Sequence, residues 1–213
     1  SGKSSLLQSL IHTCNQEGWF IVSCKFEKLG TPIKAIAKGF DDFFGNWAPD
    51  DNGAYSALDP AMVESFRQVC RTISYTLDEE GLCELYEIIP NLVRVFPEIA
   101  TATKGQGRDK EYSSIDIVGS VTKRRSYLFH VLFKAICSVG RPVLVAHDDM
   151  HWAHSMEGLK EFIVDYVNLP CSANKEACHH GVMVVGTFRS NEVGENEGII
   201  KTIASIEQSK SAR

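Results

Sequence analysis

Two short runs of uninterrupted apolar residues, PVLVA at 142–146 and VMVVG at 182–186, constrain this chain more than any other feature. A strand with one wet face alternates apolar and polar residues. A run that is apolar at every position suits a strand covered on both faces, as in a parallel sheet. Helical periodicity flanks both runs. Leu128, Val131, Leu132, Ala135 and Ile136 mark a helix over 127–139, and Leu159, Phe162, Ile163 and Tyr166 mark another after a Ser155 cap. A third strand is expected over 19–25, WFIVSCK, directly after an amphipathic helix carrying Leu6, Leu7, Leu10, Ile11 and Cys14 and stopped by Gly18. Strands alternating with helices predict an α/β fold with a mainly parallel sheet.

The remaining segments fit around that frame. Residues 33–47 read as a helix with Ile33, Ile36, Phe40, Phe43 and Phe44 on a core-facing side, followed by a loop over 48–58. Asp59-Pro60 supplies a cap and a first-turn proline for a helix carrying Met62, Val63, Phe66, Val69, Cys70 and Ile73. A short helix over 77–85 is closed by Ile88-Ile89-Pro90. Residues 97–126 are the most polar stretch and read as a mobile surface loop. Residues 171–180 read as a loop, and a helix is expected around Ile199, Ile200, Ile203 and Ile206. There is no internal repeat.

At 213 residues the chain suits one domain, or at most two, and 44% hydrophobic with 23% charged residues is ordinary for a globular protein. A net charge of −5 argues against a nucleic-acid surface, and no apolar run is long enough for a membrane span. The start, Ser1-Gly2-Lys3-Ser4, is not a secretory signal. Seven scattered cysteines, an odd number, suggest free thiols in a reducing, cytoplasmic setting.

The chemistry-bearing residues lie at separate places in the chain. Gly2, Lys3, Ser4 and Ser5 open the first helix in the manner of the second half of a phosphate-binding loop. Backbone N–H groups there cradle phosphate oxygens, a lysine reaches the β and γ phosphates, and a serine hydroxyl holds Mg²⁺. The glycine and four residues that begin such a loop do not precede Gly2, nor does the strand that carries them, so the chain reads as cut there. Asp148 and Asp149 emerge where the first apolar strand ends, the edge at which ligands bind in open α/β sheets. A metal-nucleotide site needs a cation, a hydroxyl with a carboxylate for Mg²⁺, and a second acid to orient water. Gly2, Lys3, Ser4, Asp148 and Asp149 supply that set. Arg189, after the last strand, suits a γ-phosphate sensor or a surface pair with Glu192 or Glu195. A rival reading makes His147, Asp148, His151 and His154 a metal-dependent hydrolase site. Cys171, Cys178, His179 and His180 lack a recognised zinc spacing.

Five ordered stretches together resemble a known family: GKSSL at 2–6, WFIVSCKFEKL at 19–29, IIPNL at 88–92, PVLVAHDDMHWAH at 142–154 and VMVVGTFRSNEV at 182–193. They are similar to the predicted ATPase domains of the STAND branch of AAA-type P-loop ATPases, found in hybrid signalling proteins beside kinase or cyclase modules. His147 stands where that family has an apolar residue, and His154 where an acid is usual. The resemblance implies a P-loop three-layer α/β/α core, partial over 1–213 and lacking its phosphate-loop strand. It implies ATP and Mg²⁺ as ligands, with Lys3 on the phosphates, Ser4 and Asp148 on Mg²⁺, Asp149 polarising water and Arg189 beside the sensor strand. It also implies other modules of the same polypeptide as partners, with slow hydrolysis as a switch. The alternative is a nucleotide-dependent interaction module without turnover.

Overall fold

The computed structural model describes residues 2–49, 55, 59–97, 116–153 and 181–189, the side chains of 116–122 excepted. The chain forms two compact units, Ser1–Phe43 with Gly140–Arg213, and Phe44–Val139.

The first unit is built on three parallel strands, β1 (Phe20–Lys25), β2 (Val143–Asp148) and β3 (Val182–Gly186), in the order β1-β2-β3. Phe20 lies opposite Val143, and Val143 opposite Val182. Side chains alternate along a strand, so Ile21, Leu144, Ala146 and Val185 share one face. Leu7, Leu10, Ile11 and Cys14 of the first helix, α1 (Gly2–Gln16), pack on it. Gly18 ends that helix in the left-handed region at φ 76°, which a residue without Cβ adopts freely. The opposite face carries Phe20, Val22, Cys24, Val143, Val145 and His147, and α2 (Pro32–Trp47) covers it. Phe43 meets Phe20 edge-on with ring centroids 5.4 Å apart. The unit is therefore α/β, with a helix on each face of a parallel sheet.

β2 is buried at every position, as its unbroken apolar run requires, and extends through His147 to Asp148, past the expected 142–146. β3 departs from expectation. It is only partly buried, with Met183 37% exposed, because it forms an edge of the described sheet.

The second unit contains α3 (Pro60–Thr76), α4 (Glu79–Ile88), a 3₁₀ turn (Pro90–Arg94) and α5 (Asp116–Cys137). Asp59 caps α3 as the sequence predicts, its carboxylate accepting from Ala61 N at 3.0 Å. Val63, Phe66, Val69 and Ile73 form that helix's buried stripe, with Leu85 from α4 and Leu128, Leu132 and Ile136 from α5 also buried. Two boundaries are corrected. α4 starts at Glu79 rather than at 77, because Leu77 closes α3 and the Asp78 carboxylate accepts from Gly81 N at 2.9 Å. α5 starts at Asp116, so the end of the polar stretch 97–126 is helical rather than loop. Arg124 in that extension pairs with Glu80 and Glu84 of α4, which gives its polar face partners the sequence alone does not display.

Residues 98–115, the Ser155 helix, the 171–180 loop and the helix around 199–206 lie outside the described residues. Cys14, Cys24, Cys70, Cys83 and Cys137 are free thiols, in line with the expectation of unpaired cysteines. Among the described residues no helix is long and apolar enough to cross a membrane.

Candidate functional site

Parallel strands deliver their C-terminal ends to one edge of the sheet, and the helix that precedes a strand starts at that same edge. Ser4, Asp148 and Thr187 meet there, with Lys3 bonded to Phe188 beside them. Asp148, the last residue of β2, is 7% exposed. Its Oδ1 accepts from Ser4 Oγ in the first turn of α1 at 3.2 Å, from Asp149 N at 3.1 Å, and from the Thr187 hydroxyl. The Lys3 ammonium donates to the carbonyl oxygen of Phe188 at 2.8 Å. Two of the stretches read as candidates, the opening of α1 and the end of β2, are thus joined directly.

The start of α1 is electropositive. Unpaired backbone N–H groups and the macrodipole make any helix N-terminus locally positive. α1 has no acidic residue in its first turn to neutralise that end, and it carries a lysine there, where the dipole disfavours a cation. Gly2 has open space around it, so no described neighbour demands a glycine. Ser5 is exposed and takes no part in the cluster.

Asp149 follows the strand in the left-handed region at φ 56°, a conformation that aspartate tolerates better than most residues. Its backbone N–H is shared between Asp148 Oδ1 and Thr187 Oγ1, both at 3.1 Å, and its carbonyl accepts from Trp152 N at 3.0 Å. This locks the turn between β2 and a 3₁₀ turn (Met150–Ala153), and leaves the Asp149 residue partly exposed beside Asp148. Arg189 is exposed, three residues beyond β3 on the segment that carries Thr187.

His147 and Asp148 occupy successive strand positions and so point to opposite faces. His147 is fully buried on the α2 face, its ring centroid 5.6 Å from that of Phe26. That separates two members of the rival His/Asp metal cluster. His151 is buried against Trp152 at 4.5 Å, and His154 lies outside the described residues. Among the described residues no group of three His, Cys, Asp or Glu side chains is placed to hold a metal.

What does converge is a pair of hard oxygen donors, a carboxylate and a hydroxyl, with an ammonium close by. Such a set suits Mg²⁺, which prefers one or two carboxylates together with ligand phosphates, and suits softer metals poorly. Thr187 is the participant that sequence reasoning missed. A hydroxyl residue directly at the end of an apolar strand is a usable signal, yet its role depends on register, which the sequence does not display.

Comparison with family models, curated proteins and solved structures finds no match.

Proposed function

We propose that this chain is the ATP-binding core of a regulatory switch, a P-loop ATPase module of the STAND type that hydrolyses ATP slowly within a larger signalling protein. The observation that carries the reading is the Ser4 to Asp148 hydrogen bond at 3.2 Å, with Lys3 anchored at the same sheet edge. The packing of α1 on β2 brings together a serine that opens the helix and an acid that ends the strand 144 positions later, and a shared cation would use both oxygens.

Mg-ATP bound there supplies the transferable phosphoryl group and the cation that screens its charge. The chain's own residues bind and orient. Lys3 exchanges its Phe188 carbonyl partner for phosphate oxygens, and the N-terminal amides of α1 donate to the same anion. Ser4 and Asp148 provide hydroxyl and carboxylate ligands for the cation. Asp149, held in its left-handed turn, would accept a hydrogen bond from the attacking water and take its proton as the water oxygen bonds to the γ-phosphorus and the bridging P–O bond breaks, with ADP as the leaving group. Arg189 follows the sensor strand and reads the terminal phosphate. This is positioning plus electrostatic stabilisation with no covalent intermediate.

The test is Mg-ATP binding and phosphate release by the protein at its natural length. Lys3→Ala and Asp148→Asn are each expected to weaken Mg-ATP binding by tenfold or more. Asp149→Asn, which tolerates the same backbone conformation, is expected to bind but to lose phosphate release. Binding by wild type without any release supports the switch without turnover. Failure of wild type to bind Mg-ATP overturns the reading.

A further inference from the structure

Thr187 is held from every side. Its N–H donates to the His147 carbonyl at 2.8 Å, and its own carbonyl accepts from Met150 N at 2.9 Å. Its hydroxyl accepts from Asp149 N at 3.1 Å and donates to Asp148 Oδ1, so its one proton and one of its two lone pairs are engaged by these neighbouring residues. A Cβ on Gly186 would lie 2.2 Å from Met150 Sδ, so a larger residue there would make the Met150 side chain move aside.

We propose that Thr187 is the positioning residue of the site, selecting the oxygen that Asp148 presents to a divalent cation and fixing the turn that aims Asp149. This rests on the nucleotide reading above. Three donors converge on Asp148 Oδ1, from Ser4, Asp149 and Thr187, and Oδ2 receives none among the described residues. The carboxylate can therefore rotate only by breaking internal hydrogen bonds, and Oδ2 is the oxygen left for a cation. The left-handed backbone of Asp149 is a strained conformation that persists where its surroundings hold it, and Thr187 supplies one of those restraints. One hydroxyl thus sets the orientation of two acids with different tasks.

Three substitutions separate positioning from mere packing. Thr187→Val keeps the shape and deletes the hydroxyl, Thr187→Ser keeps the hydroxyl and deletes a methyl, and Asp148→Asn removes the proposed ligand. For Thr187→Val the Mg²⁺ concentration that half-saturates ATP binding is expected to rise about 10-fold or more, the usual consequence of removing a partner that orients a metal ligand. ATP affinity in EDTA should fall far less. Thr187→Ser should restore most of the Mg²⁺ dependence, and in the metal-free wild type the Asp149 amide should exchange slowly with solvent. Equal losses in valine and serine variants, an unaltered Mg²⁺ requirement in the valine variant, or fast Asp149 exchange in wild type each overturns the role of Thr187. If Asp148→Asn abolishes the Mg²⁺ dependence while Thr187→Val does not, only this inference falls. A wild type that binds no Mg-ATP removes the nucleotide reading and this one with it.

Discussion

At the scale of single residues, the imidazole of His147 sits fully buried with neither ring nitrogen hydrogen-bonded among the described residues. Removal from water penalises the charged ring and pulls its pKa from the ordinary 6.5 down to about 4. The unfolded chain then binds a proton near pH 6.5 that the folded chain refuses until about pH 4. Between those values the unfolded state holds more protons, so stability is complete above pH 6.5 and falls as the solution is acidified towards pH 4. The full loss amounts to roughly 3 kcal/mol. His147→Leu keeps the site apolar and removes the titration. The unfolding free energy of wild type is therefore expected to drop more steeply than that of the variant between pH 6.5 and 4.5 in urea melts. Parallel curves would show that burial of this ring is not what the acid opposes. The neighbouring Cys24 thiol, pushed up to about 12 by burial, stays protonated throughout this range.

At the scale of elements, α2 lies so close to β1 that one position admits no side chain. A Cβ on Gly39 would stand 2.7 Å from Cys24 Sγ and 2.8 Å from the carbonyl oxygen of Ser23. Glycine inside a helix ordinarily costs about 1 kcal/mol relative to alanine, and here close approach explains its use. Gly39→Ala gains that propensity but must push the helix off strand backbone, which cannot rotate away as a flexible side chain could. Overpacking of this kind costs about 1–3 kcal/mol, so a net loss is expected, read as a lower urea midpoint with an unchanged slope. A raised midpoint would mean that α2 shifts freely across the sheet. The elements legible in the sequence were those whose periodicity and punctuation agree, such as α3 with its Asp59-Pro60 cap. The start of α5 was not legible, because Ile117, Val118 and Val121 are too sparse among polar residues to mark a helical face. The ion pairs from Arg124 to α4 exist only after packing.

At the scale of the whole molecule, the order of the chemistry was readable and its assembly was not. The sequence marked Lys3, Ser4 and Asp148 by residue type, and strand-helix alternation predicted a common sheet edge, yet the three-donor convergence on one carboxylate oxygen depends on strand register, on the packing of α1 and on the turn after β2. A ligand that bridges such distant segments binds the folded state only, so under the proposed reading Mg-ATP must raise thermal stability by mass action. At a hundred times its dissociation constant the gain is about 2.7 kcal/mol. For a chain of 213 residues that corresponds to a rise in Tm of roughly 5–10 °C. The rise should depend on magnesium and, at the same ligand concentration, fall to about half or less in Lys3→Ala, the consequence of a tenfold or greater loss of affinity; the Lys3 ammonium makes no contribution to the apolar core beneath α1. It should shrink in Ser4→Ala, which removes a cation ligand and leaves the lysine in place. An equal rise in wild type and Lys3→Ala at matched ligand concentrations would place the nucleotide elsewhere on the molecule, and the Ser4 to Asp148 contact would then be only a tie between helix and strand.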